Sequence, residues 1–342
     1  MESEIKKYKT KHWHLLDDGR VVCDVCPRHC SLRDGKKGAC FIREAFEGEI
    51  VLTSYGYATG FAIDPVEKKP LNHFYPGTRV YSFGTAGCNL GCKYCQNWHI
   101  SKSRDHSILS AQASPEDVAG MAVAHQCKSV AFTYNDPVIF WEYARDTAIE
   151  CHNLGLKTIA VSAGYMCETP REEFYAHIDA ANIDLKSISD HFYRKLCSGS
   201  LAPVLDTLLY LKQETDVWLE ITTLLIPGWN DNPREIEQLS RWISDNLGDN
   251  VPLHFSGFHP DFKLTNIDRT PLDTLLQARD IALKTGLNYV YTGNILNENS
   301  ESTYCPHCHN IVLHRHRYQL RHNHITPQGE CMHCHSPIPG RF

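Results

Sequence analysis

The feature that most constrains this chain is a cysteine triplet in the stretch GTAGCNLGCKYCQN, which places Cys88, Cys92 and Cys95 in one short glycine-rich turn. Iron–sulfur clusters are held by cysteine thiolates at short spacings such as this one. Three thiolates can hold three irons of a [4Fe-4S] cluster, so the fourth iron would lack a protein ligand and could bind a small molecule. The alternative is a zinc knuckle that lacks one ligand, although structural zinc sites normally close with four. The triplet therefore predicts an open cluster at a reactive centre.

The segment from residue 76 to residue 298 alternates strand-like and helix-like runs, and several strand-like runs are apolar stretches that end in polar residues. Such stretches are typical of parallel strands buried on both faces. The pair Ser114 and Pro115 predicts a helix start, with serine as the N-cap. The alternation predicts an α/β fold with a partial (β/α)6-type barrel, in which functional residues collect at the carboxyl ends of the strands. The predicted strands are Arg79–Thr85, Ser129–Asn135, Lys157–Gly164, Ala180–Lys186, Asp216–Gly228, Val251–Pro260 and, as a further strand, Asn288–Asn294.

Two further cysteine sets flank this barrel and divide the chain into three predicted domains. Residues 1–75 form a cysteine-rich head, residues 76–298 the barrel, and residues 299–342 a tail. The tail reads CPHC-x22-CMHC, a spacing that indicates a zinc-ribbon-like or rubredoxin-like site with four thiolates around one ion. Zinc is the better match because nothing in the tail requires redox chemistry. The predicted tail ligands are Cys305, Cys308, Cys331 and Cys334.

The head contains its four cysteines in CDVCPRHC and, ten residues later, GKKGAC. This spacing is compatible with zinc, with an auxiliary iron–sulfur cluster, or with no metal at all. The candidate ligands are Cys23, Cys26, Cys30 and Cys40.

Composition narrows the functional classes. The net charge of −6 argues against non-specific nucleic-acid binding, and the sequence has no long apolar run that would predict a membrane span. The first twenty residues are charged and lack the apolar core of a signal peptide. We therefore expect a cytoplasmic protein whose fifteen cysteines serve mainly as metal ligands. Four scattered cysteines receive no predicted role: Cys127, Cys151, Cys167 and Cys197.

The triplet, with aromatic Tyr94 before its third cysteine, resembles the radical S-adenosylmethionine (SAM) superfamily. Together with the strand ends, it resembles enzymes of the pyruvate formate-lyase-activating type. Over the whole chain, the stretches DPVEKKPLNHFYPG, FTYNDP, IDLKS, LLIPGWND, FHPDFK and YVYTGN resemble the radical SAM member of the AmmeMemoRadiSam system. The resemblance implies a radical SAM barrel whose [4Fe-4S] cluster binds SAM and cleaves it to a 5′-deoxyadenosyl radical. It also implies an external one-electron donor, such as flavodoxin or ferredoxin.

The resemblance carries SAM-binding roles onto individual residues. Asn135 and Asp136 end the second strand, where the superfamily has a Gly-Gly-Glu-like motif for the SAM amino group; this chain lacks the two glycines, and either residue could face the ligand. Ser162 ends the third strand. Asp184 and Lys186 match an Asp-Leu-Lys motif, in which lysine pairs with the SAM carboxylate and aspartate orders a ribose hydroxyl or a cation.

His254 on the sixth strand matches a histidine near the ribose. Each of these assignments has a plainer alternative: a solvated pair at a strand end for Asp184 and Lys186, and a core histidine for His254. In the charged loop before the first strand, Lys68, Lys69 or His73 could meet the substrate, or the loop could be a solvated connector.

The predicted function is therefore hydrogen abstraction from an unidentified substrate, which could be a protein, a small molecule or a nucleic acid. No catalytic side chain can be named from the sequence. One alternative is an activase proper for a glycyl radical enzyme. Another, from a different class, is a non-catalytic interaction protein in which the cysteine sets only bind metals.

Overall fold

The computed structural model describes residues 7–103 and 111–342. The head contains seven strands: β1 (Tyr8–Lys9), β2 (Trp13–Leu15), β3 (Val21–Cys23), β4 (Ser31–Leu32), β5 (Arg43–Phe46), β6 (Glu49–Leu52) and β7 (Tyr57–Pro65). The first six form two small antiparallel sheets with the strand orders β1-β6-β5 and β2-β3-β4. The longer β7 is followed by a 3-10 turn at Val66–Lys68.

A nine-stranded sheet forms the centre of the molecule. Seven of its strands run parallel and match the predicted set: β8 (Arg79–Gly84), β10 (Ser129–Phe132), β11 (Lys157–Ser162), β12 (Ala180–Asp184), β13 (Trp218–Leu225), β14 (Leu253–Gly257) and β15 (Val290–Gly293). Their spatial order is their sequence order, which is what repeated right-handed βα units produce. The predicted α/β class with a central parallel sheet is confirmed. Strand β7 pairs antiparallel with β8, and β9 (Ala111–Gln112) pairs with β7 at the edge.

Helices connect the parallel strands and cover the sheet. The predicted helix start at Ser114 is confirmed: its side chain accepts from the Asp117 amide, the Asp117 carboxylate accepts from the Ser114 amide, and Pro115 is the first helical residue. The helices are α1 (Trp98–Ser101), α2 (Pro115–Ala124), α3 (Trp141–Asn153), α4 (Glu168–Tyr175), α5 (Asp190–Phe192), α6 (Ala202–Gln213), α7 (Pro233–Leu247), α8 (Leu272–Lys284) and α9 (Glu298–Glu301), with a 3-10 turn at Pro137–Phe140 and a π turn at Tyr193–Cys197.

The tail adds a three-stranded antiparallel sheet, β16 (Thr303–Tyr304), β17 (Ile311–His316) and β18 (Gln319–Asn323). It packs against the segment that joins the head to the barrel. The His73 ring contacts the Pro339 carbonyl oxygen through Nδ1 at 2.7 Å, and the Tyr75 amide donates to the Arg341 carbonyl at 2.6 Å. Across the described residues, no helix combines the length and the apolar character that crossing a membrane requires.

Candidate active site

The cysteine triplet lies in the loop that follows β8, above the carboxyl ends of the parallel strands. Cys88, Cys92 and Cys95 all line one cavity of about 240 Å³. Asn135, just after β10, holds this loop in place, because its amide nitrogen donates to the Thr85 hydroxyl at 3.1 Å and to the Gly87 carbonyl at 2.9 Å. The fold therefore brings the three predicted ligands to a single cavity.

Close backbone contacts explain two glycines at this loop. At Gly84, a Cβ atom would lie 2.4 Å from the Thr133 carbonyl oxygen, and at Gly87 it would lie 1.9 Å from the Cys40 carbonyl oxygen. Gly87 also has φ of +89°, a conformation that glycine adopts at little cost. The loop is thus pressed against β10 on one side and against the head on the other.

The three thiols differ in their surroundings. Burial raises the pKa of Cys88 to about 12 and also raises the pKa of Cys95. A hydrogen bond with the Cys197 thiol lowers the pKa of Cys92 to about 6. Cys197 in turn lies 3.2 Å from the Tyr94 hydroxyl, so the aromatic residue of the triplet faces this thiol. Sequence reasoning assigned Cys197 no role, because a single cysteine has no spacing from which a partner could be inferred.

The ends of β10 and β11 meet at the wall of the same cavity. One Asp136 oxygen accepts from the Ser162 hydroxyl at 2.8 Å and the other from the Ala163 amide at 3.2 Å. Burial raises the pKa of Asp136. Asn135, Asp136 and Ser162 all line the cavity. Each of them already forms hydrogen bonds within the protein.

Asp184 and Lys186 lie at the end of β12 and form an ion pair, with 2.8 Å between Lys186 Nζ and Asp184 Oδ2. The lysine side chain is 13% exposed and the aspartate 38% exposed. Burial alone would lower the pKa of Lys186, but the negative charges of Asp184, Cys92 and Cys197 together outweigh burial, so the pKa is raised. Lys186 is therefore a fixed positive charge on the cavity wall, and Asp184 is open enough to contact a ligand.

A second cavity of about 310 Å³ adjoins the first, and the two share six lining residues: Gln96, Asn97, Thr133, Tyr134, Thr222 and Ser256. Two groups on the shared wall are buried and lack a hydrogen-bond partner among the described residues: Gln96 Nε2 and Thr222 Oγ1. Buried polar atoms are normally paired, so these two atoms are free to form a further hydrogen bond at the shared wall. Sequence reasoning missed both residues, because isolated polar side chains form no motif.

His254 lines the second cavity and not the first. Its Nε2 lies 2.7 Å from a Glu220 oxygen, and its ring stacks on Tyr291 at 5.0 Å. Glu220 also accepts from the backbone amides of Asn72 and His73. The structure thus separates His254 from the other predicted SAM residues by placing it deeper in the barrel.

The three residues suggested for substrate contact fall in different places. Lys68 and Lys69 line the second cavity, and Lys69, 3% exposed, pairs with Asp64 at 2.9 Å. His73 lines neither cavity; its Nε2 lies 2.6 Å from the Tyr291 hydroxyl. The tail also reaches this cavity, since Arg315 and Tyr318 are on its wall.

The tail cysteines converge on one point. Cys305 and Cys334 have their sulfurs 3.6 Å apart, and those of Cys308 and Cys331 are 3.7 Å apart. All four lie within 4.8 Å of one another and could hold a metal ion. Tetrahedral zinc with Zn–S bonds of 2.3 Å requires sulfurs about 3.8 Å apart, which these distances match.

Comparison with known proteins gives three findings. Residues 83–243 match the Radical SAM superfamily. A Methanocaldococcus jannaschii relative, named uncharacterized protein MJ0808, is 39% identical over 309 residues, which cover 90% of this chain and 92% of the relative. The pyruvate formate-lyase-activating enzyme of Listeria monocytogenes is 26% identical over 185 residues, which cover 49% of this chain and 70% of that enzyme.

A solved structure adds a likeness of fold alone. The radical SAM methyltransferase from Sphaerobacter thermophilus has a TM-score of 0.51 at 13% identity, over 64% of this chain and 67% of that chain.

Proposed function

Because the chain belongs to the radical SAM superfamily and is related to the pyruvate formate-lyase-activating enzymes, we propose that it cleaves S-adenosylmethionine with a [4Fe-4S] cluster and abstracts hydrogen from a substrate. Members of this superfamily are enzymes, so the non-catalytic alternative is set aside. One observation carries the proposal: Cys88, Cys92 and Cys95 meet the polar ends of several parallel strands at one cavity.

The residues at this cavity fit the cluster and its ligand. Three thiols face the cavity and Cys197 does not line it, so the fourth iron is left for SAM. When bound, the reduced cluster supplies the electron that breaks a carbon–sulfur bond of SAM and yields the 5′-deoxyadenosyl radical. Gln96 and Thr222 offer unpaired polar atoms to a bound ligand.

The binding roles follow from charge and exposure. Lys186 pairs with the SAM carboxylate as a point charge, and the more exposed Asp184 accepts from a ribose hydroxyl. Asn135 and Asp136 act mainly by position, since the first anchors the cluster loop and the second joins the ends of β10 and β11.

The substrate is proposed to bind in the second cavity, next to the SAM cavity. Its walls combine charged and hydrogen-bonding side chains, among them Lys68, His254 and Arg315. Because Arg315 and Tyr318 of the tail help to enclose it, the site suits a small polar molecule better than a folded protein. Activation of a glycyl radical enzyme is the second candidate, supported by the relation to the activating enzymes.

Three further assignments complete the proposal. The tail holds one zinc ion through its four cysteines. Reduction of the cluster requires an external one-electron donor of the flavodoxin or ferredoxin class. From the whole-chain resemblance, we also propose that the protein belongs to the AmmeMemoRadiSam group.

The test is SAM cleavage by the anaerobically reconstituted full chain. After reduction with dithionite, 5′-deoxyadenosine should form and be detected by liquid chromatography and mass spectrometry. The triple variant Cys88→Ala/Cys92→Ala/Cys95→Ala should form none, whereas Cys127→Ser, which changes a cysteine outside the three sets, should behave as wild type. Product from the triple variant, or none from a reconstituted wild type that carries iron on this loop, would contradict the proposal.

A further inference from the structure

The four head cysteines surround one small buried space, although they come from separate turns of the chain. Cys23 ends β3, Cys26 and Cys30 lie in the turn that follows, and Cys40 precedes β5. All four line a cavity of about 20 Å³. Each is a free thiol. A cavity of this size has room for about one water molecule, so the thiols enclose a volume and do not close on a point.

The sulfur positions distinguish this set from the tail set. Within residues 7–103 and 111–342, the tail cysteines are the only group of three or more possible ligands whose ligand atoms all lie within 4.8 Å of one another. The head cysteines form no such group among these residues, whereas a single tetrahedral zinc ion would require their sulfurs about 3.8 Å apart. A cuboidal cluster places one iron between each sulfur and the centre, so its cysteine ligands stand further apart.

Backbone amides point at the head sulfurs. The Ala39 amide donates to Cys30 Sγ at 3.5 Å, the Val25 amide faces the Cys23 sulfur, and the Ile42 amide faces the Cys40 sulfur. Amide donors stabilise thiolate ligands, and hydrogen bonds to the sulfurs tune the potential of an iron–sulfur cluster.

The head cavity adjoins the active-site loop. Asn89, which follows Cys88, is one of the residues that line the head cavity. The Arg28 side chain, also on that wall, donates to the Asn89 carbonyl oxygen. Gly87 packs on the Cys40 carbonyl so closely that a Cβ atom would not fit. Whatever occupies the head cavity is thus a direct neighbour of the Cys88 loop.

We propose that Cys23, Cys26, Cys30 and Cys40 hold a second [4Fe-4S] cluster beside the active site. Four thiolates for four irons make this cluster closed, in contrast to the site at Cys88, Cys92 and Cys95. A closed cluster has no position for SAM, which limits it to electron transfer. The site is independent of the proposed SAM chemistry, because its ligands lie outside the SAM cavity.

The experiment counts metals in the anaerobically reconstituted full chain by mass spectrometry. Wild type should contain about eight irons and about one zinc per chain. The double variant Cys23→Ser/Cys26→Ser should retain about four irons, and so should the triple variant Cys88→Ser/Cys92→Ser/Cys95→Ser. The control Cys127→Ser should keep about eight.

A spectroscopic measurement on the triple variant tests the head cluster separately, because its result does not depend on correct folding of the head variant. In the triple variant, the reduced cluster that remains should give an electron paramagnetic resonance signal that added SAM does not change. Wild type with about four irons and about two zincs, or a triple variant without iron, would overturn the head cluster. SAM cleavage by a wild type with only four irons would contradict the head cluster but support the proposed function. Eight irons without SAM cleavage would contradict the proposed function but support the head cluster.

Discussion

The head and the tail use four cysteines each, yet the two sets are packed in different ways. The tail sulfurs lie 3.6 and 3.7 Å apart in pairs and sit in a small core of their own, with Val312, Leu313, Ile325 and Ile338. The head sulfurs surround a cavity whose wall includes Asn89 of the cluster loop and Ile139 of the barrel. The two sets offer the same number and type of ligands, so the different metals proposed for them rest on how the sulfurs are packed. Neighbouring backbone fixes the spread of the sulfurs, and in the head that backbone belongs partly to the barrel.

The two regions are also anchored differently. In the head, buried Arg43 forms a two-pronged pair with the Glu142 carboxylate, with 3.0 Å between Nη1 and Oε1, and its Nε donates to the Ile139 carbonyl. In the tail, buried Arg315 donates to the Thr303 hydroxyl and the Asn72 carbonyl, and its nearest carboxylate oxygen, on Glu67, is 3.5 Å away. The head is held by a close ion pair with two aligned hydrogen bonds, and the tail by neutral acceptors together with a longer buried ion pair.

The largest effect is expected from breaking the tail site. In the variant Cys305→Ser/Cys331→Ser, zinc should be lost and the tail should unfold, because structural zinc supplies on the order of 10 kcal/mol and so small a core cannot replace it. Hydrogen exchange over β16 to β18 should become fast while the iron content stays unchanged.

The control for this variant is Met332→Ala, which alters an exposed side chain of the same CxxC turn. If the tail amides stayed protected in the absence of zinc, the tail would fold without metal and the contrast with the head would fail.

The next effect concerns the head anchor. Arg43→Ala should lower the free energy of unfolding by about 3–5 kcal/mol, because it leaves the Glu142 carboxylate buried without its partner. Urea denaturation measures the loss, and Arg33→Ala, at an exposed position, is the control.

The double variant Arg43→Met/Glu142→Leu should recover most of this loss, since neither buried charge remains. Arg315→Ala should cost less, about 1.5–3 kcal/mol, because its bonded acceptors are neutral and its 3.5 Å pair with Glu67 lacks a hydrogen bond. An equal or larger loss for Arg315→Ala would contradict the difference between the two anchors.

The free energy of unfolding should depend on pH because of His73, which lies at the junction of tail and barrel. Burial lowers the pKa of His73 to about 4. An unfolded histidine takes up its proton near pH 6.5, so between pH 6.5 and 4 the unfolded chain binds more protons and stability falls as the pH falls. The total loss is roughly 3 kcal/mol.

Denaturant titrations at pH 7.5, 6 and 5 measure this slope. His73→Gln should flatten it, whereas the exposed control His191→Gln should not. A slope that is the same in His73→Gln and wild type would exclude His73 as its source.

The smallest effect lies in the barrel between the two cysteine-rich regions. Lys186→Ala should weaken SAM binding by about 1.5–3 kcal/mol, the range for a charged hydrogen bond, without changing the iron content. Equilibrium binding of SAM to the reconstituted protein measures it, with Lys195→Ala at an exposed position as the control. Unaltered affinity for SAM would mean that Lys186 forms only a structural ion pair with Asp184.

The sequence predicted the position of some site residues better than that of others. Cys88, Cys92 and Cys95 form a motif that is complete within eight residues, and the structure brings them to one cavity together with Asn135, Asp136, Ser162, Asp184 and Lys186. Their binding roles stay predictions. His254 has a different position: it is the second residue of β14, so its register sets it beside Thr222 and Tyr291, before the strand end.

The sequence by itself determined the parallel α/β sheet and the three cysteine sets, because apolar runs and short ligand spacings are local properties of a chain, and its motifs resemble those of the radical SAM superfamily. Only the tertiary structure decided that β7 of the head joins the barrel sheet, that Cys197 lies beside Cys92, and that Arg315 and Tyr318 of the tail enclose the second cavity. These contacts join residues far apart in sequence, and they depend on strand register and packing, which no short stretch of sequence encodes.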